Sequence, residues 1–476
     1  VISYRPEYKE SWARRSYYYQ INLSRLSDLE STRMLAKLLH DEDFDEKIED
    51  LVWEKTEGNP FYIEEFTKSL IGLKIIEKLD KFRLVDADSH GMIPATIHDM
   101  VMTRVDVLSS EVKEVLQIGS VIEREFSIEI IRHVTGFTDD QLKSHLLQLE
   151  NEELIYEKGV FPNSSYVFNH ALTRSVIYDL IISQKKKSLH ENIGHAIEQL
   201  NAENLYHHYE TLADHFFKGE NFEKASEYAK LAGRKAEKMG SLNNALLYTR
   251  KRVDALEHLP QTTELQKRII DARVTLGLYY NQIGYFIESK DAVEPIINIA
   301  KELEYKRRIS QIYAILGTYC EFYELNSVKA LEYLTDSYNI AEEQGDYLSL
   351  WAASHWIGHL HVNNCEFDKA LTYLNTALEI NKAAATKWGI SIMMACIGAN
   401  VFIHKGDLNT ATKYTQEAVQ LAEESGDLFP KAEAYTNYGF NCVEKGSLEE
   451  AEEYLLKAMD FGDRSKNLVM QAHAFL

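Results

Sequence analysis

Cysteine, proline and long apolar runs are all scarce in this chain of 476 residues, and each scarcity excludes something. The four cysteines, Cys320, Cys365, Cys396 and Cys442, lie 45, 31 and 46 residues apart. That spacing has neither the clustering of metal ligands nor the density of a secreted disulfide scaffold, and it predicts buried free thiols in a reducing cytoplasm, with no metal site. Only 7 prolines accompany an apolar fraction of 45%, which argues against disorder. The longest uncharged run, Tyr347 to Cys365, is interrupted by His355, His359, His361, Asn363 and Asn364, so no membrane span is expected. Positive charge is also short: 52 lysines and arginines face 74 acids, a net of −22 that repels nucleic acid and anionic lipid over most of the surface. No Gly-x-x-x-x-Gly-Lys-Ser/Thr phosphate loop occurs, and no Ser, Cys or His arrangement amounts to a catalytic triad. No catalytic residue and no complete active site are therefore expected. The start at Val1, without methionine or a signal-peptide pattern, reads as a fragment of something longer.

What is present is repetition. Gly277, Gly317, Gly358, Gly398 and Gly439 recur every 40 or 41 residues, each late in an apolar, aromatic-rich stretch. Twelve to fifteen residues after each stands an alanine: Ala292, Ala330, Ala370, Ala411 and Ala451. Three of these are followed by Ala377, Ala418 and Ala458, seven residues on, and four by Tyr333, Tyr373, Tyr414 and Tyr454, three residues on. Small residues two turns apart on one helix face let a second helix approach closely, so each unit reads as helix A, tight turn, helix B. Lys405-Gly406-Asp407 and Lys445-Gly446-Ser447 supply the turns within units, and Gln344-Gly345-Asp346 and Ser425-Gly426-Asp427 those between them. Ala225 with Tyr228 and Ala245 with Tyr248 extend the array back to about residue 205. Residues Val469 to Leu476 read as the start of another helix A. The pattern resembles the tetratricopeptide repeat in a version of about 40 residues, which implies an α-solenoid whose concave face holds a protein or peptide.

The first two hundred residues read differently. Ser27 and Glu30 form a capping box before Met34, Leu35, Leu38 and Leu39, and a second helix runs from about Asp45 to Lys55. In Thr56-Glu57-Gly58-Asn59-Pro60-Phe61, Gly58 ends one helix, Asn59 caps the next and Pro60 takes its first position. Helical stretches follow at Ile97 to Leu108, Ser109 to Ile122, Ser127 to Val134 and Thr138 to Leu149. A two-stranded ribbon, Leu154 to Glu157 and Tyr166 to Asn169, is joined through Gly159 and Pro162. Helices closed by a hairpin predict a winged helix. Its candidate recognition helix and flank carry Asp139, Asp140, Glu150, Glu152 and Glu153 against Lys143, so a structural role is expected rather than DNA reading. His207, His208, Asp214 and His215 read as packing in the first repeat helix rather than as metal ligands, and Lys185 to Lys187 as a solvated helix end.

With these residues in hand the chain resembles the downstream part of a STAND-type signalling ATPase with tetratricopeptide repeats, of the bacterial group associated with adenylate or guanylate cyclases. The resemblance rests on Ser3-Tyr4-Arg5-Pro6-Glu7, Glu57-Gly58-Asn59-Pro60-Phe61-Tyr62-Ile63-Glu64-Glu65, Phe168-Asn169-His170-Ala171-Leu172-Thr173-Arg174 with Tyr178, and Leu189-His190. It implies a mainly all-α chain: residues 1–90 as the end of a P-loop ATPase core and its helical lid, 91–200 as a winged-helix domain and connecting helix, and 201–476 as a truncated repeat array. It further implies ATP or ADP as cofactor of the intact parent. Arg5 would meet the γ-phosphate, Pro60 would pack on adenine, and His170 would face the β-phosphate of ADP. From its own surroundings His170 reads equally well as a satisfied histidine at a strand end.

The missing phosphate loop and the missing acidic magnesium ligands mean that this piece is not expected to hydrolyse ATP. The function so implied is a cytoplasmic regulatory and protein-interaction segment that gates an attached cyclase. A segment of a LuxR-type transcriptional activator, of a kinase-linked ATPase, or a plain repeat scaffold stay as alternatives, and self-association stays open.

Overall fold

The computed structural model describes residues 21–78, 80–85, 96–159 and 164–465. Arg5, Pro162 and the stretch Val469 to Leu476 lie outside the described residues. The chain divides into two compact units, one ending at Ala196 and one beginning at Ile197.

The first unit opens with α1 (Asp28–Leu39), α2 (Glu46–Thr56) and α3 (Pro60–Gly72). The Ser27/Glu30 box starts α1, with Glu30 accepting from the Ser27 backbone at 2.9 Å. Leu35, Leu39, Ile48, Val52, Ile63, Phe66 and Leu70 fall at helical spacing and form one buried cluster, closed by the hairpin β1 (Ile76–Lys78) and β2 (Phe82–Leu84). Gly58 is required twice over in the turn before α3. It sits at φ +71°, and a Cβ there would collide with the Leu26 carbonyl, while Leu26 N–H donates to the Gly58 carbonyl at 2.8 Å.

There follow α4 (Ile97–Asp106), α5 (Ser110–Ile122), β3 (Glu125–Ser127), α6 (Ile128–Thr135), α7 (Asp139–Asn151), β4 (Ile155–Lys158), β5 (Ser165–Phe168), α8 (Ala171–Leu180) and α9 (Ser183–Leu200), the last running into the second unit. The expected two-stranded ribbon is a three-stranded antiparallel sheet in the order β3-β5-β4, with Val167 opposite both Glu125 and Tyr156. Neither β3 nor the β1-β2 hairpin was expected, because three residues are too few to show a period of two. Phe126 on β3 and Phe168 on β5 are both buried, their rings 5.4 Å apart.

The second unit is a tetratricopeptide-like α-solenoid. It comprises α10 (Tyr209–Lys218), α11 (Phe222–Lys238), α12 (Leu242–Glu257), α13 (Thr263–Gln282), α14 (Phe286–Val293), α15 (Ile297–Glu302), α16 (Lys306–Phe322), α17 (Ser327–Gln344), α18 (Tyr347–Asn363), α19 (Phe367–Ala383), α20 (Lys387–Cys396), α21 (Leu408–Ser425), α22 (Leu428–Glu444) and α23 (Leu448–Ser465). The periodic alanines are buried: Ala330, Ala370, Ala377, Ala411, Ala418 and Ala458 have no exposed surface. Four of the five periodic glycines face the residue one turn beyond the alanine of their partner helix, while Gly277 meets Ile315 and Val293. A Cβ on Gly317 would lie 2.6 Å from Leu334, one on Gly358 2.6 Å from Leu374, and one on Gly439 2.7 Å from Leu455. Gly and Ala therefore nest as the spacing predicts.

Three departures from the regular pattern occur. Pro295 interrupts the helix B that holds Ala292, turning Glu294–Ile296 into a 3₁₀ turn between α14 and α15, because proline donates no backbone hydrogen bond. After α20 the helix widens into a π-helical stretch, Ile397–Ile403. Cys365, expected to be buried, is exposed at φ +57°. It occupies the turn that Gly406 and Gly446 fill in later repeats, at φ +76° and +78°.

Candidate functional site

Two places gather chemistry, one in each unit. In the first, the structure brings together the second and third of the four motifs on which the resemblance rests. Asn59 caps α3, its side chain accepting from Phe61 N–H at 3.1 Å, and Pro60 is exposed at the first helical position. His170 is the N-cap residue of α8. Its ring lies 4.2 Å from that of Phe61, and its Nε2 is 3.8 Å from a Glu64 carboxylate oxygen. Arg174, on the first turn of α8, donates from Nε to the Ser120 carbonyl at 2.9 Å. Tyr178 meets His190 Nε2 at 2.9 Å, so the fourth motif joins the third.

Around this junction the charges are paired. Glu65, 1% exposed, accepts from Arg104 at 2.5 Å, and Arg104 also donates to the Glu152 carbonyl. Lys68 bridges Glu64, at 2.7 Å, and Glu153. Burial works against the Lys68 charge, but the two carboxylates outweigh it and hold its pKa above the ordinary lysine value. Glu64, Glu65 and His170 lie close enough together to hold a cation, yet both carboxylates are already committed to Lys68 and Arg104. The geometry is that of an ion-pair network flanked by a half-buried imidazole and the exposed start of a helix.

The second place is the groove of the repeat array. It encloses about 1740 Å³ and is lined mainly by α13, α16, α18, α20 and α22, the A helices of successive repeats. An aromatic row runs along it. Phe286 lies 4.8 Å from Phe322, Phe322 5.2 Å from Trp356, Trp356 4.7 Å from His355, His355 6.0 Å from Trp351, Trp351 5.9 Å from Trp388, and Trp388 6.1 Å from Phe429. Trp351 Nε1 and His355 Nδ1 are sealed from solvent without a hydrogen-bond partner among the described residues.

At one end the lining turns basic. Lys230, Arg234, Arg252 and Arg308 gather there, with Asp271 and Glu237 as the nearby lining acids. Arg308 takes Asp271 at 2.6 Å, and Tyr305 donates to the same carboxylate at 3.0 Å. Lys230, Arg234 and Arg252 form no ion pair among the described residues. Arg252 is pushed down to about 10, chiefly by burial; Asp271 opposes the shift, and the like charges of Arg268, Arg234 and Arg308 add to it. Burial and the neighbouring Arg252 and Arg234 likewise lower Lys230. In a chain of net charge −22, this is a local surplus of positive charge, with Lys230 and Arg234 exposed and Arg252 and Arg308 half-buried.

None of these groove residues was singled out from the sequence as a binding residue. Cysteine spacing speaks only for ligands that are neighbours along the chain. Across repeats, the fold brings His355, His359 and Cys396 together. His215, by contrast, is buried in α10, as the packing reading expects. Among the described residues no helix is long and apolar enough to cross a membrane.

The comparisons agree with the repeat architecture. Residues 432–461 match the sequence model of the tetratricopeptide repeat. Over 207 residues the chain is 26% identical to tetratricopeptide repeat protein 29 of Homo sapiens, covering 41% of this chain and 43% of that protein. The chain thus spans less than half the length of the curated relatives it matches. Among solved structures it is similar to a signal transduction ATPase with numerous domains from Pyrococcus horikoshii that carries a tetratricopeptide repeat sensor. The identity is 16%, the TM-score 0.48, and the match covers 95% of this chain and 62% of that one. A Rap conjugation gene regulator of the plasmid pLS20, in complex with its Phr* peptide, matches at 15% identity and a TM-score of 0.44, over 77% of this chain and 94% of that one.

Proposed function

We propose that the chain is a ligand-sensing segment of a larger signalling ATPase, whose repeat groove holds an extended peptide or protein segment bearing a carboxylate and aromatic or aliphatic side chains. The observation that carries this reading is the groove itself. Its volume of about 1740 Å³ exceeds the roughly 300–1,000 Å³ of small-molecule sites. Its wall carries an aromatic row, and its basic end holds the half-buried Arg252 beside the exposed Lys230 and Arg234, none of them in an ion pair among the described residues. Aromatic rings and arginines in desolvated pockets are where binding energy concentrates, each worth about 2 kcal/mol or more on truncation. An acidic group docked between Arg234 and Arg252 would offset the burial, and the lesser repulsion from neighbouring arginines, that lower Arg252.

The nucleotide side of the proposal rests on the meeting of the Pro60 and His170 motifs. Phe61 and Glu64 against the His170 ring give the first unit a place where an adenine nucleotide bound to the parent's phosphate loop could be sensed. Ligand capture by the repeats would then shift the parent between ADP-closed and ATP-open states and so gate an attached output domain, the cyclase that the resemblance implies.

Selection of a random peptide library on the full chain tests the groove. Enriched peptides should share an acidic residue near aromatic or aliphatic ones, and Trp388→Ala and Arg252→Gln should each weaken them by at least about 10-fold. Selected peptides that bind both variants as well as the parent chain would refute it.

A further inference from the structure

A second kind of chemistry lies within the groove and stands apart from the peptide reading. His355 and His359 are one turn apart on α18, Cys396 closes α20, and Glu433 lies on α22, so three consecutive A helices converge on one point. The ligand atoms of the two histidines and the cysteine all lie within 4.8 Å of one another. Cys396 Sγ is 3.6 Å from His359 Nε2 and 3.9 Å from Glu433 Oε1.

Bonds of about 2.3 Å to sulfur and about 2.0 Å to nitrogen or oxygen at tetrahedral angles place neighbouring ligand atoms roughly 3.5 Å apart. The two measured separations lie within about 0.5 Å of that spacing; the His355 ligand nitrogen, within 4.8 Å of the other two, and the Glu433 carboxylate would close on an ion by side-chain rotation. We propose that His355, His359, Cys396 and Glu433 form a binding site for a thiophilic divalent cation, Zn²⁺ in the first instance.

Four further observations fit. Cys396 is 1% exposed, and His355 has a sealed Nδ1 with no hydrogen-bond partner among the described residues, an uncommon state for a buried polar atom. Asn437 donates to Glu433 Oε1 at 2.9 Å, which orients the carboxylate as metal-bound groups are commonly oriented. The π-helical stretch begins at the residue after Cys396, a distortion frequent at functional positions. Two imidazoles, a thiolate and a carboxylate are the donor set of a tetrahedral zinc site. Binding would release the thiol proton to solvent as the sulfur–metal bond forms, with no change of oxidation state. By tying three repeats together the ion would fix the curvature of the groove where its aromatic row is densest.

Cobalt(II) titration of the chelator-treated full chain tests this without any peptide. Expected is one equivalent bound, with the intense visible bands of tetrahedral cobalt and a near-ultraviolet sulfur-to-cobalt charge-transfer band, all displaced by zinc. Cys396→Ser should abolish the charge-transfer band, and Cys396→Ser and His359→Gln should each weaken zinc by roughly 100-fold or more. Cys365→Ser, which removes the exposed thiol, should change nothing. Circular dichroism and tryptophan emission confirm that each variant is folded, and the spectrum of the unmutated chain stands without them. Octahedral cobalt spectra, or a charge-transfer band that survives Cys396→Ser and vanishes with Cys365→Ser, would overturn the assignment.

Discussion

Replacing Gly358 by alanine tests the packing rule on which the array rests. Inside a helix such a change ordinarily gains about 1 kcal/mol, because alanine loses less backbone entropy on folding. At Gly358 the new methyl carbon would meet Leu374 Cγ at 2.6 Å and Cδ2 at 2.7 Å, where contact is most favourable near 3.5–4.0 Å. Leu374 has no exposed surface and cannot turn aside without leaving a void of its own. Overpacking of this kind costs about 1–3 kcal/mol, so the net effect is a loss of up to about 2 kcal/mol. Leu374→Ala alone costs more, about 2–5 kcal/mol, but it vacates the space that the methyl needs. In that background Gly358→Ala should be neutral or restore up to about 1 kcal/mol, and the cycle should couple the two sites by about 1–3 kcal/mol. Urea denaturation of the full chain followed by tryptophan emission reads this, because Trp351, Trp356 and Trp388, three of the five tryptophans, lie in the same repeats. An effect of Gly358→Ala with the same sign and size in both backgrounds would refute the claim that glycine stands there to admit Leu374.

Three further outcomes follow from local geometry. Leu325 holds the left-handed turn position at φ +53° while 82% exposed, so Leu325→Gly should stabilise the array by about 0.5–1 kcal/mol, and an unchanged or lower urea midpoint would count against strain there. Arg104→Ala leaves Glu65 buried without its partner and should destabilise the first unit by about 3–5 kcal/mol, while Arg104→Met with Glu65→Leu should recover most of it. Emission from Trp53 reports on this, and a double variant no better than the single one would contradict it. Glu423 is held below its ordinary value of 4.5, chiefly by the Lys431 ammonium at 2.8 Å and with help from the Tyr435 hydroxyl at 2.9 Å, against the opposing effect of burial. Because the folded value is the lower one, its contribution is complete above about 4.5 and is lost as pH falls through the folded value. Glu423→Gln should therefore lower the urea midpoint at neutral pH, with the two proteins converging in acid; a constant offset at every pH would disprove the linkage.

The parts of this fold legible in the sequence are those that depend on single-residue sterics. Gly358 opposite Leu374, the buried Ala370 and Ala377, and the left-handed Gly345, Gly406 and Gly426 leave marks that recur with the period, because no other residue satisfies the same constraint as well. Caps such as Asn59 and Asp407 are legible for the same reason, since each bonds a backbone N–H two or three residues away. The groove was not legible, because its chemistry depends on how far one repeat is staggered against the next. The structure supplies that stagger. Asp271 and Arg308, Asn281 and Thr318, His359 and Cys396, and Cys396 and Glu433 are each 37 residues apart and in contact. A separation of 37 is the 40- or 41-residue period less one helical turn of about 3.6 residues, the offset at which neighbouring A helices face each other. The repeat period alone contains no such offset, so His359, Cys396 and Glu433 read along the chain as unrelated residues, and Arg252, whose neighbours lie on several helices, shows no motif at all. Once the offset is known, polar or aromatic residues 37 apart on successive A helices become a signal, and it is this signal, rather than any local motif, that locates the groove of the array.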